Sequence, residues 1–322
     1  MHAQPGRWCF KLHFEISKRQ DHTICPTLLF KPFGTGSPRG ILDAVPNELP
    51  TSALYSHPSL GRLWKKVHLS CSPFLHRTEL QRLHCLPSTR IRKHFGRQSY
   101  SLIALGCADG TKESLLLKKL PKPISLLALD TNLTLARRAA LRLPAFHKSA
   151  RRADLTSSLS LQFLFSQLRP HPTLITLFGV LPNLNPLPLL RSIRRLMKKD
   201  DLLLFSANLA PGQSSHTGAL RILPQYDNRP TRNWLEAAIL RYRPKLPKGH
   251  LEFGVFSDPK QKTLARIEAR WISLRKIHTV FSSRRPTSSQ VEAWIRSAHM
   301  RKLERYLDSL GEEGLWLVTR KA

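Results

Sequence analysis

Acidic residues are scarce in this sequence, which has 21 Asp and Glu against 52 Lys and Arg and a formal net charge of +31. So strong a positive charge favours polyanionic partners, because Lys and Arg that neutralise phosphates supply most non-specific affinity for nucleic acids. The cations, however, lie in scattered pairs such as Lys65-Lys66 and Arg284-Arg285, without long blocks. Nucleic-acid binders usually concentrate their charge in blocks or on one face. The composition therefore allows a nucleic-acid partner without favouring one.

Cysteines and long apolar runs are also few. The 5 cysteines are odd in number and form no Cys-x-x-Cys pair, which argues against a disulfide framework or a zinc knuckle. No run of about 18 apolar residues is present to span a membrane. The first residues lack the apolar stretch typical of a signal peptide. These absences predict a cytoplasmic protein without a membrane span or a metal site.

Hydrophobic residues make up 41% of the 322 residues, which is enough to bury a core in one large domain or two smaller ones. Proline and glycine interrupt residues 1–55, and no periodic pattern persists there. We predict a disordered basic extension over 1–55 and a helical appendage over 56–100, with a helix near Phe74–Leu86. The main domain is predicted over 101–322, with 209–275 as a smaller substrate-binding insertion.

From Ser101 onward, short apolar runs alternate with helical patterns, as in a parallel sheet covered on both faces. The sequence predicts strands at 101–106, 124–130, 173–179 and 201–207, and two late strands near 303–307 and 315–319 that close the sheet. Helices are predicted at 111–120, 132–143, 159–168, 187–199 and 287–299. Within the insertion we expect a loop at 212–218, a helix at 231–241 and strands at 251–256 and 264–273. The fold class is therefore α/β, with a Rossmann-like sheet.

A glycine-containing turn follows the first predicted strand. Gly106 and Gly110 let the backbone approach a ligand, and the next helix offers its N-terminal amides. Asp130 ends the second strand, 24 residues after Gly106, where a carboxylate can accept hydrogen bonds from both hydroxyls of a ribose. An ordinary turn and a helix cap are the alternatives for the glycines and for Asp130, but their joint occurrence favours a nucleoside cofactor. NAD is less well supported, because the turn reads G-C-A-D-G and not G-x-G-x-x-G.

At this point the sequence resembles a known family, the histidine-specific S-adenosylmethionine-dependent methyltransferases, one of which makes the trimethylated histidine precursor of ergothioneine. The resemblance covers about residues 100 to 275. It rests on an ordered series of blocks: LGCADGTKESLLLKKL, LLALD, RADL, LITLFGVLPNLNP, DLLLFSANLAP, LPQYDNRPTRNWLEAAIL and LARIEAR. It implies a class I methyltransferase sheet with helices on both faces, and S-adenosylmethionine as cofactor.

The resemblance also implies roles for single residues. Gly106, Gly110 and Lys112 would line the methionine end of the cofactor. Asp130 would hold the ribose, and Asp154 would accept a hydrogen bond from the adenine amino group. A helix cap is the alternative for Asp154.

Two further positions are implied on the substrate side. Gly179 begins the turn after the third strand, and Asn183 in that turn would contact the carboxylate or amine of the substrate. Tyr226, in Gln-Tyr-Asp-Asn, would hold the amino acid, although a polar turn is the alternative for this segment. Tyr226 and Asn183 would thus orient a small amine, histidine-like, for N-methylation.

The sequence departs from the family pattern at several positions. Ala104 replaces an acidic residue and Ala108 a glycine of the cofactor loop. The glutamate that reads the imidazole in the family falls near Val280 or Phe281 here, and Glu292 lies too far along the chain. A site that lacks a hydrogen-bonding partner loses discrimination for its substrate. The acceptor is therefore predicted only as an amino acid or a related small amine.

Two other features of these blocks have ordinary structural interpretations. Arg266 and Glu268 share one face of an alternating strand, which favours a simple ion pair. Cys107 in the loop is interpreted as a small packing residue and not as a nucleophile.

Two alternatives to a small-molecule methyltransferase remain open. An RNA methyltransferase with the same cofactor domain would explain the charge, and would bind RNA tightly and in a salt-sensitive way. A non-catalytic, degenerate member of the family, motivated by Ala104 and Ala108, would bind a partner with its basic surface and would show no detectable cofactor binding.

Overall fold

The computed structural model describes residues 48–156, 171–274 and 276–321. The helix predicted at 159–168 and most of the extension predicted over 1–55 lie outside these ranges. The prediction for the extension is wrong at its C-terminal end, because Thr51–Ser56 is a helix. Leu54 and Leu60 are buried against Trp234, so this segment packs into the folded domain.

The main sheet has seven strands in the order β3-β2-β1-β4-β5-β10-β9. Its parallel strands are β1 (Ser101–Leu105), β2 (Ser125–Asp130), β3 (His147–Arg152), β4 (Thr173–Leu177) and β5 (Leu202–Asn208). The two late strands, β9 (Met300–Leu307) and β10 (Glu313–Arg320), form an antiparallel hairpin that adds to β5. This strand order confirms the predicted fold class, α/β with a Rossmann-like sheet.

Helices cover both faces of the sheet, as predicted. On one face α8 (Pro186–Leu196) and α11 (Ser288–Ser297) share an apolar cluster with Ile103 and Leu105 of β1. On the other face α6 (Thr111–Leu117) and α7 (Leu133–Arg142) share a second cluster with Leu102 and Ala104. Consecutive residues of β1 therefore point into two different apolar clusters, which is why this strand is continuously apolar in sequence.

The N-terminal appendage consists of short helices: α1 (Thr51–Ser56), α2 (Pro58–Cys71), α3 (Pro73–His76), α4 (Thr78–Leu83) and α5 (Ser88–Phe95). Proline stands in the first position of α2 and of α3, where its fixed φ and missing N–H carry no penalty. The single helix predicted near Phe74–Leu86 is interrupted at Arg77, which is extended with φ −115°. Arg77 instead forms ion pairs with Glu79, Asp308 and Glu312.

The insertion carries a second, three-stranded antiparallel sheet of β6 (Gly249–Ser257), β7 (Ala265–Ser273) and β8 (Lys276–Arg285). It also contains α9 (Ser215–Ile222) and α10 (Arg229–Tyr242). The loop predicted at 212–218 is wrong in its second half, because the Ser214 side chain caps a helix from Ser215. The insertion also extends beyond its predicted end at 275, since β8 belongs to the same sheet.

Candidate functional site

The predicted cofactor residues lie at one edge of the main sheet. Strands β1 to β4 run parallel, so the turns that follow them emerge on the same side. The chain moves outward from β1 through β2 to β3, and then returns to place β4 on the other side of β1. The edge beyond β1 and β4 is thus a topological switch point, where open α/β sheets bind their ligands.

Three turns converge on Gly106. This residue has φ +59°, and a Cβ atom placed on it would lie 2.5 Å from Val180 Cγ2 and 3.6 Å from Leu155 Cδ1. Val180 follows Gly179, and Leu155 follows Asp154, so the turns after β1, β3 and β4 meet here. Gly110, with φ +76°, similarly lets the loop approach α7, because a Cβ atom placed on it would lie 3.1 Å from Ala139 Cβ. Because Gly106 and Gly110 have no side chains, the glycine loop can pack closely against the turns after β3 and β4 and against α7.

Asp130 is tied directly to the glycine loop. Its Oδ2 accepts the backbone N–H of Ala108 at 2.9 Å, and its Oδ1 accepts the N–H of Asn132 at 2.8 Å. Burial raises the pKa of Asp130 above its ordinary value, while these backbone donors work in the opposite direction. Thr131 is a further donor to this carboxylate, through its hydroxyl and its backbone N–H. Asp130 therefore holds the loop, and the hydroxyl groups of a ligand would take the place of Thr131 among its donors.

Ala108 occupies a backbone conformation that suits glycine. Its φ is +45°, in the left-handed region that costs an L-residue about 1–2 kcal/mol. We expect Ala108→Gly to raise the free energy of unfolding by about 0.5–1 kcal/mol, because relief of this strain exceeds the added entropy of the unfolded chain. Urea denaturation measures the change.

Ala104→Gly provides the matched control for Ala108→Gly. Ala104 lies buried within β1, where glycine has no strain to relieve, so this variant should be less stable than the native protein. Equal destabilisation by the two substitutions would contradict a strained Ala108.

Lys112 and Gly179 lie close together across the switch point. A Cβ atom on Gly179, which has φ +71°, would lie 3.9 Å from Lys112 Nζ, so space remains between them. The Gly179 N–H donates to Ser206 Oγ at 2.8 Å, which fixes the turn. Lys112 Nζ forms an ion pair with Glu313 Oε1 at 2.9 Å and lies 4.9 Å from the centre of the Phe74 ring. The lysine is thus held at the edge of the predicted cofactor pocket.

Glu313 and His84 form a buried polar group around this lysine. Burial opposes ionisation of Glu313, but the charge of Lys112 keeps its pKa below the ordinary value. His84 Nε2 is 3.7 Å from Glu313 Oε1, and its Nδ1 faces the Leu80 carbonyl at 2.9 Å. Burial and the nearby Lys112 lower the pKa of His84 to about 4, so the imidazole is neutral at physiological pH.

Glu113 lies fully buried on α6, next to Lys112. It is 1% exposed, and Thr176 Oγ1 of β4 donates to its Oε1 at 3.3 Å. Burial raises the pKa of Glu113 to about 7. This carboxyl group therefore changes its charge near neutral pH, directly beneath the loop.

Asp154 is exposed and makes only local hydrogen bonds. Its Oδ1 accepts the Thr156 N–H at 2.9 Å and the Thr156 hydroxyl at 2.7 Å. This is the geometry of an Asx turn, in which the side chain accepts the backbone N–H two residues further along the chain. Asp154 nevertheless lies just beyond β3, on the same edge as Asp130.

Helix α1 lies across this edge. Thr51 Oγ1 donates to the Asn183 carbonyl at 3.1 Å, and Asn132 Nδ2 contacts the Tyr55 carbonyl at 3.5 Å. The indole N–H of Trp234, from α10, donates to the Leu54 carbonyl at 3.3 Å. One short helix therefore contacts the turn after β2, the turn after β4 and the insertion. It can exclude water from the space beneath it.

Tyr226 lies on the insertion side. Its ring stacks on Phe281, with centroids 5.9 Å apart, and the guanidinium carbon of Arg285 lies 4.8 Å from its centre. Within the described ranges no hydrogen bond joins Tyr226 and Asn183. The structure thus connects the predicted cofactor residues to one another but leaves these two on separate walls.

The other residues that were compared with the family pattern have structural roles. Val280 is 1% exposed in an apolar cluster with Trp234 and Leu235, so no carboxylate stands at this position. Arg266 and Glu268 form the predicted ion pair, with Nε and Oε1 at 3.0 Å. Glu292 pairs with Lys302 and Arg305 on α11 and β9.

Cys107 is buried, and burial raises the pKa of its thiol well above the ordinary value. A thiol so poorly ionised is not a nucleophile, which supports its interpretation as a packing residue. Among the described residues no group of three His, Cys, Asp or Glu side chains is placed to hold a metal ion. In the same part of the chain, no helix has the length and apolarity to cross a bilayer.

Sequence reasoning missed Glu113, Arg285 and Glu313. Arg285 was noted only as half of a basic pair, yet the buried positions Phe281, Ser283 and Arg285 alternate along β8 as one face of a strand. Glu113 and Glu313 carried no signal of burial, because the partners Thr176 and Lys112 lie 63 and 201 residues away.

No protein-family model matches the chain, and no curated protein matches it. Solved structures with a similar fold include an S-adenosylmethionine-dependent methyltransferase from Clostridium acetobutylicum, at 10% identity and TM-score 0.44, covering 80% of this chain and 98% of that one. The magnesium protoporphyrin IX methyltransferase of Synechocystis, solved with bound S-adenosylhomocysteine, is 9% identical, with TM-score 0.46 and coverage of 83% and 97%. An amino pentose methyltransferase from Micromonospora echinaspora is 14% identical, with TM-score 0.38 and coverage of 74% and 90%.

Proposed function

We propose that this protein is an S-adenosylmethionine-dependent N-methyltransferase that acts on an amino acid, histidine-like, or on a related small amine. The observation that carries the proposal is the convergence at Gly106. There the glycine loop, the turn bearing Asp154 and the turn bearing Gly179 meet beside the buried Asp130. A nucleoside with a short polar tail is the class of ligand that suits such an edge.

The residues present fit this cofactor. Asp130 would accept the ribose hydroxyls in place of Thr131. Gly106 and Gly110 keep side chains out of the loop, and the space between Gly179 and Lys112 suits the amino-acid end. Asp154 Oδ1 is occupied by Thr156, and its exposed carboxylate can accept the adenine amino group through Oδ2.

The bound cofactor would supply a methyl group on a sulfonium, which is transferred in line to a nucleophile. The task of the chain is to place a neutral amine opposite that methyl group and to exclude water. Tyr226 and Asn183 would orient the amine from two walls, and α1 would cover the edge. No covalent intermediate with the chain is required.

The acceptor side supports an amino acid more broadly than histidine itself. Val280 is packed in an apolar cluster where the family places its imidazole-reading glutamate. The histidine-specific family and the cytoplasmic location stay predictions.

A methyl-transfer screen tests the proposal. Protein and radiolabelled S-adenosylmethionine are incubated with the twenty amino acids, small amines and total RNA. We expect label in an amino acid or amine and none in RNA. Label in RNA alone would replace this proposal by the second candidate below.

A second candidate, RNA methylation, is favoured by a basic edge on β3 and α7. We define this basic edge by its exposed cations, Lys122, Arg137, Arg138, Lys148, Arg151 and Arg152. Phe146 is 65% exposed among them, with Lys122 Nζ 4.2 Å from its ring centre. Cations interleaved with an exposed aromatic ring form a typical surface for single-stranded RNA.

Charge reversal tests the basic edge. If it binds RNA, Arg137→Glu with Arg138→Glu should weaken binding to a labelled single-stranded RNA by about 10-fold or more, and reduce the dependence on salt. Filter binding at two salt concentrations measures both quantities. The control, Arg92→Glu with Lys93→Glu, makes the same change of charge on exposed residues of α5. Equal losses in the two double variants would indicate attraction by net charge alone and would remove this candidate.

A further inference from the structure

Arg285 is a buried cation without a counter-ion. It ends β8 and is 3% exposed, and no hydrogen bond or ion pair joins its guanidinium to any residue that the structure describes. Its Nε is buried without a partner. Burial lowers the pKa of Arg285 to about 9, which leaves the group charged at neutral pH.

The neighbouring arginines of the smaller sheet, Arg266 buried and Arg284 partly buried, show that this is unusual for the chain. Arg284 pairs with Asp258 at 2.7 Å, and Arg266 pairs with Glu48 at 2.9 Å and Glu268 at 3.0 Å. A buried charge is costly unless it is paired. Arg285 therefore carries a desolvation cost that no hydrogen bond or ion pair with a described residue offsets, which points to a ligand as its partner.

Arg285 lies between Tyr226 of the insertion and the C-terminal end of β5. Its guanidinium lies over the ring of Tyr226, at 4.8 Å. Its carbonyl accepts the Ser215 hydroxyl at 2.6 Å, and the next carbonyl, of Pro286, accepts the Ala210 N–H at 2.9 Å, just beyond β5. Glu313 contributes charge from the sheet side, but its carboxylate is paired with Lys112.

We propose that Arg285 binds the carboxylate of the methyl acceptor above the ring of Tyr226. The inference rests on the proposed function and narrows its substrate class to amines that carry a carboxylate. A planar guanidinium can donate two parallel hydrogen bonds to a carboxylate, and an aromatic ring beneath it holds its plane. Binding of the acid there would fix the orientation of the amine.

The alternative partner for Arg285 is the carboxylate at the methionine end of the cofactor. Titration of S-adenosylhomocysteine into the native protein and Arg285→Met by calorimetry separates the two sources. We expect equal affinities. A loss of 10-fold or more in the variant would assign the carboxylate to the cofactor and overturn the proposal.

A second experiment, on the methyl acceptor, compares each of the twenty amino acids with its carboxamide. The carboxamide keeps the side chain and the amine but removes the negative charge. Binding is measured by calorimetry with and without S-adenosylhomocysteine, so the result does not depend on cofactor binding. For the amino acids that bind, the native protein should prefer the acid over the amide by 10-fold or more. Arg285→Met should abolish this preference, and Arg285→Lys should restore part of it.

Arg270→Met is the matched control, because Arg270 also stacks on an aromatic ring of the smaller sheet, with its guanidinium 3.3 Å from Phe256. It should keep the preference for the acid. Thermal unfolding adds a second readout: Arg285→Met should be at least as stable as the native protein, since it removes an unpaired buried charge.

The outcomes are distinct. A native protein that does not bind S-adenosylhomocysteine contradicts the proposed function. A native protein that binds no amino acid, or binds acids and amides equally, overturns the role of Arg285, as does an unchanged preference in Arg285→Met.

Discussion

Replacing Asp130 with alanine should weaken the binding of S-adenosylhomocysteine by about 100-fold or more. A hydrogen bond to a charged group contributes about 1.5–3 kcal/mol, and the proposed ribose site uses two of them. The substitution also frees the backbone N–H groups of Ala108 and Asn132, which the carboxylate now holds at 2.9 and 2.8 Å. Calorimetric titration measures the affinity, and methyl transfer should fall in parallel.

Asp130→Asn separates the two roles of this side chain. The amide oxygen can still accept the Ala108 N–H, so the loop should remain in place, but the Asn132 N–H loses its acceptor and the free energy of unfolding should fall by about 1–3 kcal/mol. Affinity for S-adenosylhomocysteine should still fall by about 10-fold, because the charged acceptor is lost. Full affinity in Asp130→Asn and Asp130→Ala would remove Asp130 from the cofactor site.

Replacing Glu113 with glutamine should stabilise the protein at pH 8, by on the order of 3 kcal/mol. Burial raises the pKa of Glu113 to about 7 from its ordinary 4.5, and each pKa unit corresponds to about 1.4 kcal/mol. Below pH 4.5 the carboxyl group is protonated in both the folded and the unfolded state, and its contribution is fully favourable. As the pH rises from 4.5 through 7, the unfolded chain releases the proton first and this stability is lost.

Urea denaturation between pH 5 and pH 8 measures this dependence. Glutamine keeps the shape and the hydrogen bond to Thr176 without a titrating group, so the variant should exceed the native protein at pH 8 and approach it at pH 5. Glu292→Gln is the control, because its paired carboxylate has a lowered pKa and its removal should cost stability at pH 8. An unchanged difference between pH 5 and pH 8 for Glu113→Gln would mean that Glu113 does not titrate in this range.

The main sheet could be predicted because its buried strands are continuous apolar runs. Strands β1, β2, β4 and β5 each lie within a residue or two of their predicted bounds. Strand β3, His147–Arg152, was not predicted, because it lies at the edge of the sheet and carries polar and basic side chains on both faces. Edge strands need no apolar face, so periodicity gives no signal for them.

Strand β8 was missed for a different reason. It contains Ile277, Val280 and Phe281, but the register with β7 shifts at Ala269, so the burial pattern is not a strict alternation. Bulges of this kind depend on pairing with another strand and cannot be read from one segment. Because β8 was not predicted, the burial of Arg285 at its end was not predicted either.

The candidate site was predictable only where local sequence carried the signal. The glycine turn and Asp130 have a recognisable spacing, and the structure joins them through the Ala108 N–H. The Lys112–Glu313 pair and the convergence on Gly106 arise from long-range packing that no local pattern encodes. Sequence therefore indicated the cofactor side better than the acceptor side.

Calorimetric titration of S-adenosylhomocysteine into the native protein is the most direct test of the proposed cofactor site. We expect saturable binding of one molecule per chain, lost in Asp130→Ala and retained in Arg285→Met. The absence of any saturable binding would contradict it, and would favour a degenerate protein in which the turn at Ala108 no longer holds a cofactor.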